Sequence, residues 1–141
     1  MIKSAGIIEV SPGRIAVNIH EDFVKYYRQL IYWEFPNLIG GLAFPRHRPH
    51  ITIVNPKLHT INKSNYDWIY GNYNKKRVEF EYDPTEIYIG GFRKNFVGFY
   101  IKIFSLELDK LRNCAIVEER KESDRDSSLH LTICTSKGYR A

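Results

Sequence analysis

At 141 residues and 16.6 kDa the chain is long enough for one domain with a real core and too short for two. Apolar residues make up 43% and charged residues 26%, ordinary globular usage that excludes disordered and fibrous classes. Two cysteines, Cys114 and Cys134, are too few for a disulfide framework or a cysteine-based zinc site. Apolar runs fall short of the roughly 18 residues a membrane span needs, and the opening MIKSAGIIEV carries no secretory core, so a cytoplasmic, reducing location without membrane association is the expectation. The net charge of +5 favours anionic partners such as nucleotides or RNA.

In chain order, turn chemistry at Ser11, Pro12 and Gly13 precedes an alternating β-prone stretch at 14–19 (RIAVNI). Phe23, Val24, Tyr27, Leu30 and Ile31 then form one apolar stripe, predicting a helix over 22–33 that Pro36 ends. Gly40, Gly41 and Pro45 mark a loop. Residues 50–54 (HITIV) predict a short strand between Pro49 and Pro56, and 64–70 a short helix. Strands follow at 78–82, 86–89 and 96–104, with 90–95 (GGFRKN) as the hairpin loop between the last two. Ser105 is placed to cap a helix through Arg112. A brief strand at 116–117, a charged loop at 118–126 and a final strand at 129–135 complete an α+β domain.

Two segments match: Pro49-His50-Ile51-Thr52-Ile53 and Leu129-His130-Leu131-Thr132-Ile133. Composition predicts only about 0.2 His-x-Thr occurrences by chance, so a pair with aliphatic partners in both copies is a strong signal. On a strand, His50 and Thr52 share one face while Ile51 and Ile53 take the other, and the second copy behaves alike. Such a strand suits a cleft floor whose aliphatic side packs on a helix. If the two strands adjoin, one imidazole can deprotonate a nucleophile while the other protonates a leaving oxygen, with threonine hydroxyls and cations holding phosphate oxygens. Each histidine alone reads as a strand residue bonded to a carbonyl, and each threonine as a plain β-former; the duplicated pattern reverses that reading for the histidines.

The paired His-x-Thr-x motifs, 80 residues apart, resemble those of the 2H phosphoesterase superfamily, and RIAVNIHEDFVKYYRQLI resembles that family's first strand and helix. The resemblance covers most of the chain. It implies a single bilobal 2H-phosphoesterase-like domain with pseudo-twofold symmetry, lobes of roughly 1–75 and 76–141, and antiparallel sheets lining a central cleft. It further implies His50, Thr52, His130 and Thr132 as catalytic residues, with no catalytic metal and no cofactor. The size and the segment FYIKIFSLELDKLR are closer to phage members that degrade cyclic nucleotide immune signals, the anti-CBASS nucleases, than to the bacterial RNA-ligase-like members. Cys134 and Thr135 stand where many relatives have a small residue and an arginine, which leaves Lys137 or Arg140 for that anion contact.

Arg48, Phe92, Arg93, Lys137 and Tyr139 are the candidate substrate-binding residues, because GGFRKNF interleaves aromatic and basic groups as nucleotide-contacting loops do. Trp68 and Tyr70 are further candidates for stacking on bases. His47, three residues before His50, raises a metal pair without an evident third ligand. His20 reads as a helix-start residue and His59 as a loop residue. The sequence leaves three functions open: a phosphodiesterase acting on cyclic oligonucleotides, a 2′,3′-cyclic phosphodiesterase acting on RNA ends or small cyclic nucleotides, and a non-catalytic RNA- or nucleotide-binding module.

Overall fold

The computed structural model describes residues 1–35, 48–57, 59–93, 96–119 and 128–136; of 91–93, 96 and 118–119 only the backbone is described. The expected glycine-proline loop after the first helix, His47, most of the charged run, Lys137, Tyr139 and Arg140 lie outside the described residues.

The elements are β1 (Ile2–Ser11), β2 (Arg14–Asn18), α1 (Glu21–Glu34), β3 (His50–Val54), β4 (His59–Ile61), α2 (Lys63–Tyr73), β5 (Arg77–Tyr82), β6 (Tyr88–Arg93), β7 (Phe96–Lys102), α3 (Leu106–Ala115), β8 (Ile116–Glu119) and β9 (His130–Ser136). Seven strands form one antiparallel sheet in the order β5-β1-β2-β3-β9-β7-β6, and β4 pairs with β8 in a separate ribbon. The protein is therefore mixed α+β. No helix among the described residues is long and apolar enough to cross a membrane.

Local chemistry accounts for the helices. In α1 the stripe buries Val24, Tyr27 and Ile31, and His20 caps the start by accepting from the Asp22 amide. Ser105 caps α3 by accepting from the Leu108 amide, and Leu108, Leu111 and Ala115 are buried. The helices cover the aliphatic side of the sheet, where Ile51, Ile53, Leu131, Ile133, Phe99 and Ile101 close the core.

One strand is added and two expectations are corrected. Residues 2–11 form β1, whose small residues Ser4, Ala5 and Gly6 dilute the alternation that Ile8 and Val10 begin. Residues 90–93 belong to β6 instead of a hairpin loop, since Gly90 and Gly91 pair with Gly98 and Val97 and glycine accepts extended backbone as readily as a turn. His59 is not a loop residue. It opens β4, is buried, and its Nδ1 accepts from the Asn55 amide, a three-residue strand being too short to show a period. β5 pairs with β1 at one edge of the sheet.

One residue shapes the sheet. β1 pairs with β5 through its first half and with β2 through its second, changing partner at Gly6 and Ile7. At that corner the backbone of Asn18 and the side chains of Val17 and Ile19 approach Gly6 so closely that a Cβ would lie 2.5–2.9 Å from them. The curl is enough for Glu81 of β5 to bridge to Phe104, just beyond β7.

Candidate active site

The two motif strands are neighbours at the centre of the sheet. β3 and β9 run antiparallel with Ile51 opposite Leu131, and both side chains are fully buried. Continuing that register by one residue each way sets His50 across from Thr132 and Thr52 across from His130, all on the opposite face and all half-buried. The four residues singled out from sequence thus converge on one patch of the sheet.

Both rings are held in the same way. Nδ1 of His50 lies 2.9 Å from the Arg48 carbonyl, and Nδ1 of His130 lies 3.0 Å from the Ser128 carbonyl. A carbonyl only accepts, so each Nδ1 carries the hydrogen and Nε2 is the nitrogen that gains or loses a proton. The same carbonyl bond also suits the imidazolium form, so each ring can cycle its proton without reorienting.

The strands themselves are pinned reciprocally. From α1, Arg28 Nε donates to the Ile133 carbonyl at 3.1 Å; from α3, Arg112 Nε donates to the Ile53 carbonyl at 2.8 Å and Arg112 Nη2 to the Thr52 carbonyl at 3.1 Å. Ile53 and Ile133 are the equivalent fourth residues of the two motifs. Each half's helix therefore holds the other half's motif strand through a charge-assisted bond.

Neighbouring strands extend the patch into two cross-strand rows. Ile7, Asn18 and His50 continue through Thr132 to Tyr100 and Tyr88, while Glu9, Ala16 and Thr52 continue through His130 to Lys102. Tyr100 meets the His130 ring edge-on at 5.3 Å and stacks on Tyr88 at 5.6 Å, and Lys102 Nζ lies 4.4 Å above the Tyr88 ring. Two stacked tyrosines and a lysine thus stand next to a motif histidine. Asn18, Tyr88, Tyr100 and Lys102 were missed from sequence. Their alternation placed them on one face of their strands, but only the pairing says which strands flank the motifs.

The other candidates divide. Arg48 is exposed and adjoins His50 through its own carbonyl. Phe92 and Arg93 lie in the edge strand β6, with their side chains undescribed. Lys137 and Tyr139 lie outside the described residues. Trp68 and Tyr70 are each 56% exposed on α2, a helix that buries Ile69 in the core, so they sit on the helical layer and not on the histidine face. Among the described residues no group of three His, Cys, Asp or Glu side chains is placed to hold a metal ion.

Neither cysteine has the setting of a nucleophile. Burial pushes the Cys134 thiol up to about 11, the nearby Arg28 opposing this only in part. With the folded value raised, the neutral thiol persists in the folded state where the unfolded chain ionises. Native protein at pH 8 is therefore expected to leave Cys134 unlabelled by a maleimide, whereas both thiols react after unfolding; mass spectrometry of tryptic peptides reads the difference.

Comparison of the chain with protein-family models, curated proteins and solved structures found no match. The functional reading rests on the site's own geometry.

Proposed function

We propose that the chain is a metal-independent phosphodiesterase of the 2H type that breaks ribonucleotide phosphodiester bonds, with His50 and His130 as its general base and acid. One observation carries this reading: two matching His-x-Thr strands adjoin at the sheet's centre with both rings in the same tautomer. The reciprocal bonds from Arg28 and Arg112 to equivalent carbonyls support the two-lobed architecture the reading implies. A module that only binds nucleotides has no need of two imidazoles each fixed to present Nε2.

The leading substrate is a cyclic oligonucleotide messenger. One Nε2 takes the proton of a 2′-hydroxyl, the O2′–P bond forms, the P–O5′ bond breaks, and the departing O5′ takes a proton from the other ring. Thr52 and Thr132, each across from a histidine, are placed to bond nonbridging oxygens as charge builds on them. Holding the 2′-hydroxyl beside phosphorus supplies several kcal/mol of the barrier through proximity, by roughly the effective molarity of an intramolecular reaction.

The test is a substrate panel in excess EDTA. A cyclic dinucleotide should be opened with a bell-shaped pH profile, and the analogue with a 2′-deoxy sugar at the scissile position should bind and stay intact. Turnover of 2′,3′-cyclic mononucleotides alone would move the chain to the cyclic-phosphate branch of the same chemistry. Complete loss of activity on chelation, restored by zinc or manganese, would overturn the metal-independent mechanism.

A further inference from the structure

We infer that the cleft beside His50 is an anion subsite for a second phosphate of the substrate, an inference that rests on the phosphodiesterase reading. The cleft is about 870 Å³, walled by β1, by the end of β2 and the start of α1, by Arg48 and Pro49, and by Lys75 and Arg77. Four cationic side chains, Arg28, Arg48, Lys75 and Arg77, face it against two carboxylates, Glu9 and Glu21. The cavity on the His130 side, about 600 Å³, has the opposite balance: Lys3 and Lys102 against Glu79, Glu81 and Asp109. The two sides of the histidine pair are therefore electrostatically unlike.

Arg28 is engaged by the Ile133 carbonyl and by Glu21, so the cations open to a ligand are those farther along the cleft. Among the described residues neither Arg48 nor Lys75 holds an ion pair, while Arg77 shares its guanidinium with Glu79 at 3.1 Å. Glu9 is engaged by Asn18, whose Nδ2 donates to it at 2.6 Å, and this bond with the charges of Lys75, Arg14 and Arg48 holds its carboxyl below the usual range. Lys75 also adopts φ 68, the left-handed region that a β-carbon disfavours. A glycine or asparagine would relieve that strain, and the lysine at this position lines the cleft with a charge. Asn18 pairs with His50, and Arg77 lies two strands beyond Asn18. The backbone span from His50 to Arg77 is about 14 Å at three strand spacings, within reach of a nucleotide that carries two phosphates.

The test uses adenosine 3′-monophosphate and adenosine 3′,5′-bisphosphate, monoesters that the proposed reaction leaves intact. Binding to the full chain is measured by calorimetry, with the histidine Cε1 proton resonances followed in parallel. The bisphosphate should bind at least tenfold tighter than the monophosphate. Lys75→Asn with Arg77→Gln should reduce that advantage to twofold or less while leaving monophosphate binding and the folded spectrum unchanged, and Glu9→Gln should enlarge it. Equal binding of both nucleotides, with shifts at His50 and His130, would overturn the subsite and leave the phosphodiesterase reading standing. Absence of shifts at both histidines with either nucleotide would overturn both.

Discussion

Replacing either His50 or His130 by alanine is expected to lower kcat/KM at least 100-fold, about 2.7 kcal/mol of transition-state stabilisation. The double replacement should cost little more than the worse single one, because base and acid act in one proton relay. The structure sharpens the choice of variants. In both rings Nδ1 donates to a carbonyl two residues upstream, so an asparagine can keep that bond through its amide while removing Nε2. His50→Asn and His130→Asn should therefore fold as wild type and lose as much activity as the alanine variants. Retention of most activity in either asparagine variant, measured on the cyclic dinucleotide, would remove Nε2 from the mechanism.

The largest effect on stability is expected from Gly6→Ala, a loss of about 3 kcal/mol. Its added Cβ would sit 2.6 Å from the Asn18 carbonyl oxygen and 2.5 Å from Val17 Cγ1. The oxygen belongs to backbone that is paired to both β1 and β3, so relief requires moving a strand. For a domain of this size the change corresponds to a midpoint lowered by about 10 °C. Gly71→Ala is the control: it lies in α2 with open space around it, and there alanine should stabilise by up to about 1 kcal/mol through helix propensity. Thermal unfolding followed by circular dichroism checks both, and a Gly6→Ala protein as stable as wild type would show that β1 can change partner without this close approach.

Elements with a strong period or a defined cap were legible in the sequence. The stripe of α1 and the Ser105 cap of α3 specify their structures locally, and β3 matches its predicted bounds because two prolines bracket it. Elements defined by a partner were not. β1 carries small residues where it turns a corner, β4 is three residues long, and the glycines of β6 read as a turn until Gly98 and Val97 pair with them. Trp68 and Tyr70 are exposed on α2, which turns Ile69 between them into the core.

The histidine-threonine alternation and its duplication are properties of the sequence alone, since a strand's period of two decides which residues share a face whatever the strand pairs with. That the two copies meet is a tertiary fact. It depends on β3 and β9 being adjacent with Ile51 opposite Leu131, on buried aliphatic side chains fixing that register, and on Arg28 and Arg112 each crossing to the other motif's carbonyl. A slip of one residue would turn either histidine into the core, and burial of Ile51 and Leu131 is what forbids it. The ring tautomers, the tyrosine pair beside His130 and the cationic cleft beside His50 are likewise set by residues far apart in the chain, because hydrogen-bond partners and charge neighbours are assigned by the packed backbone and by nothing local.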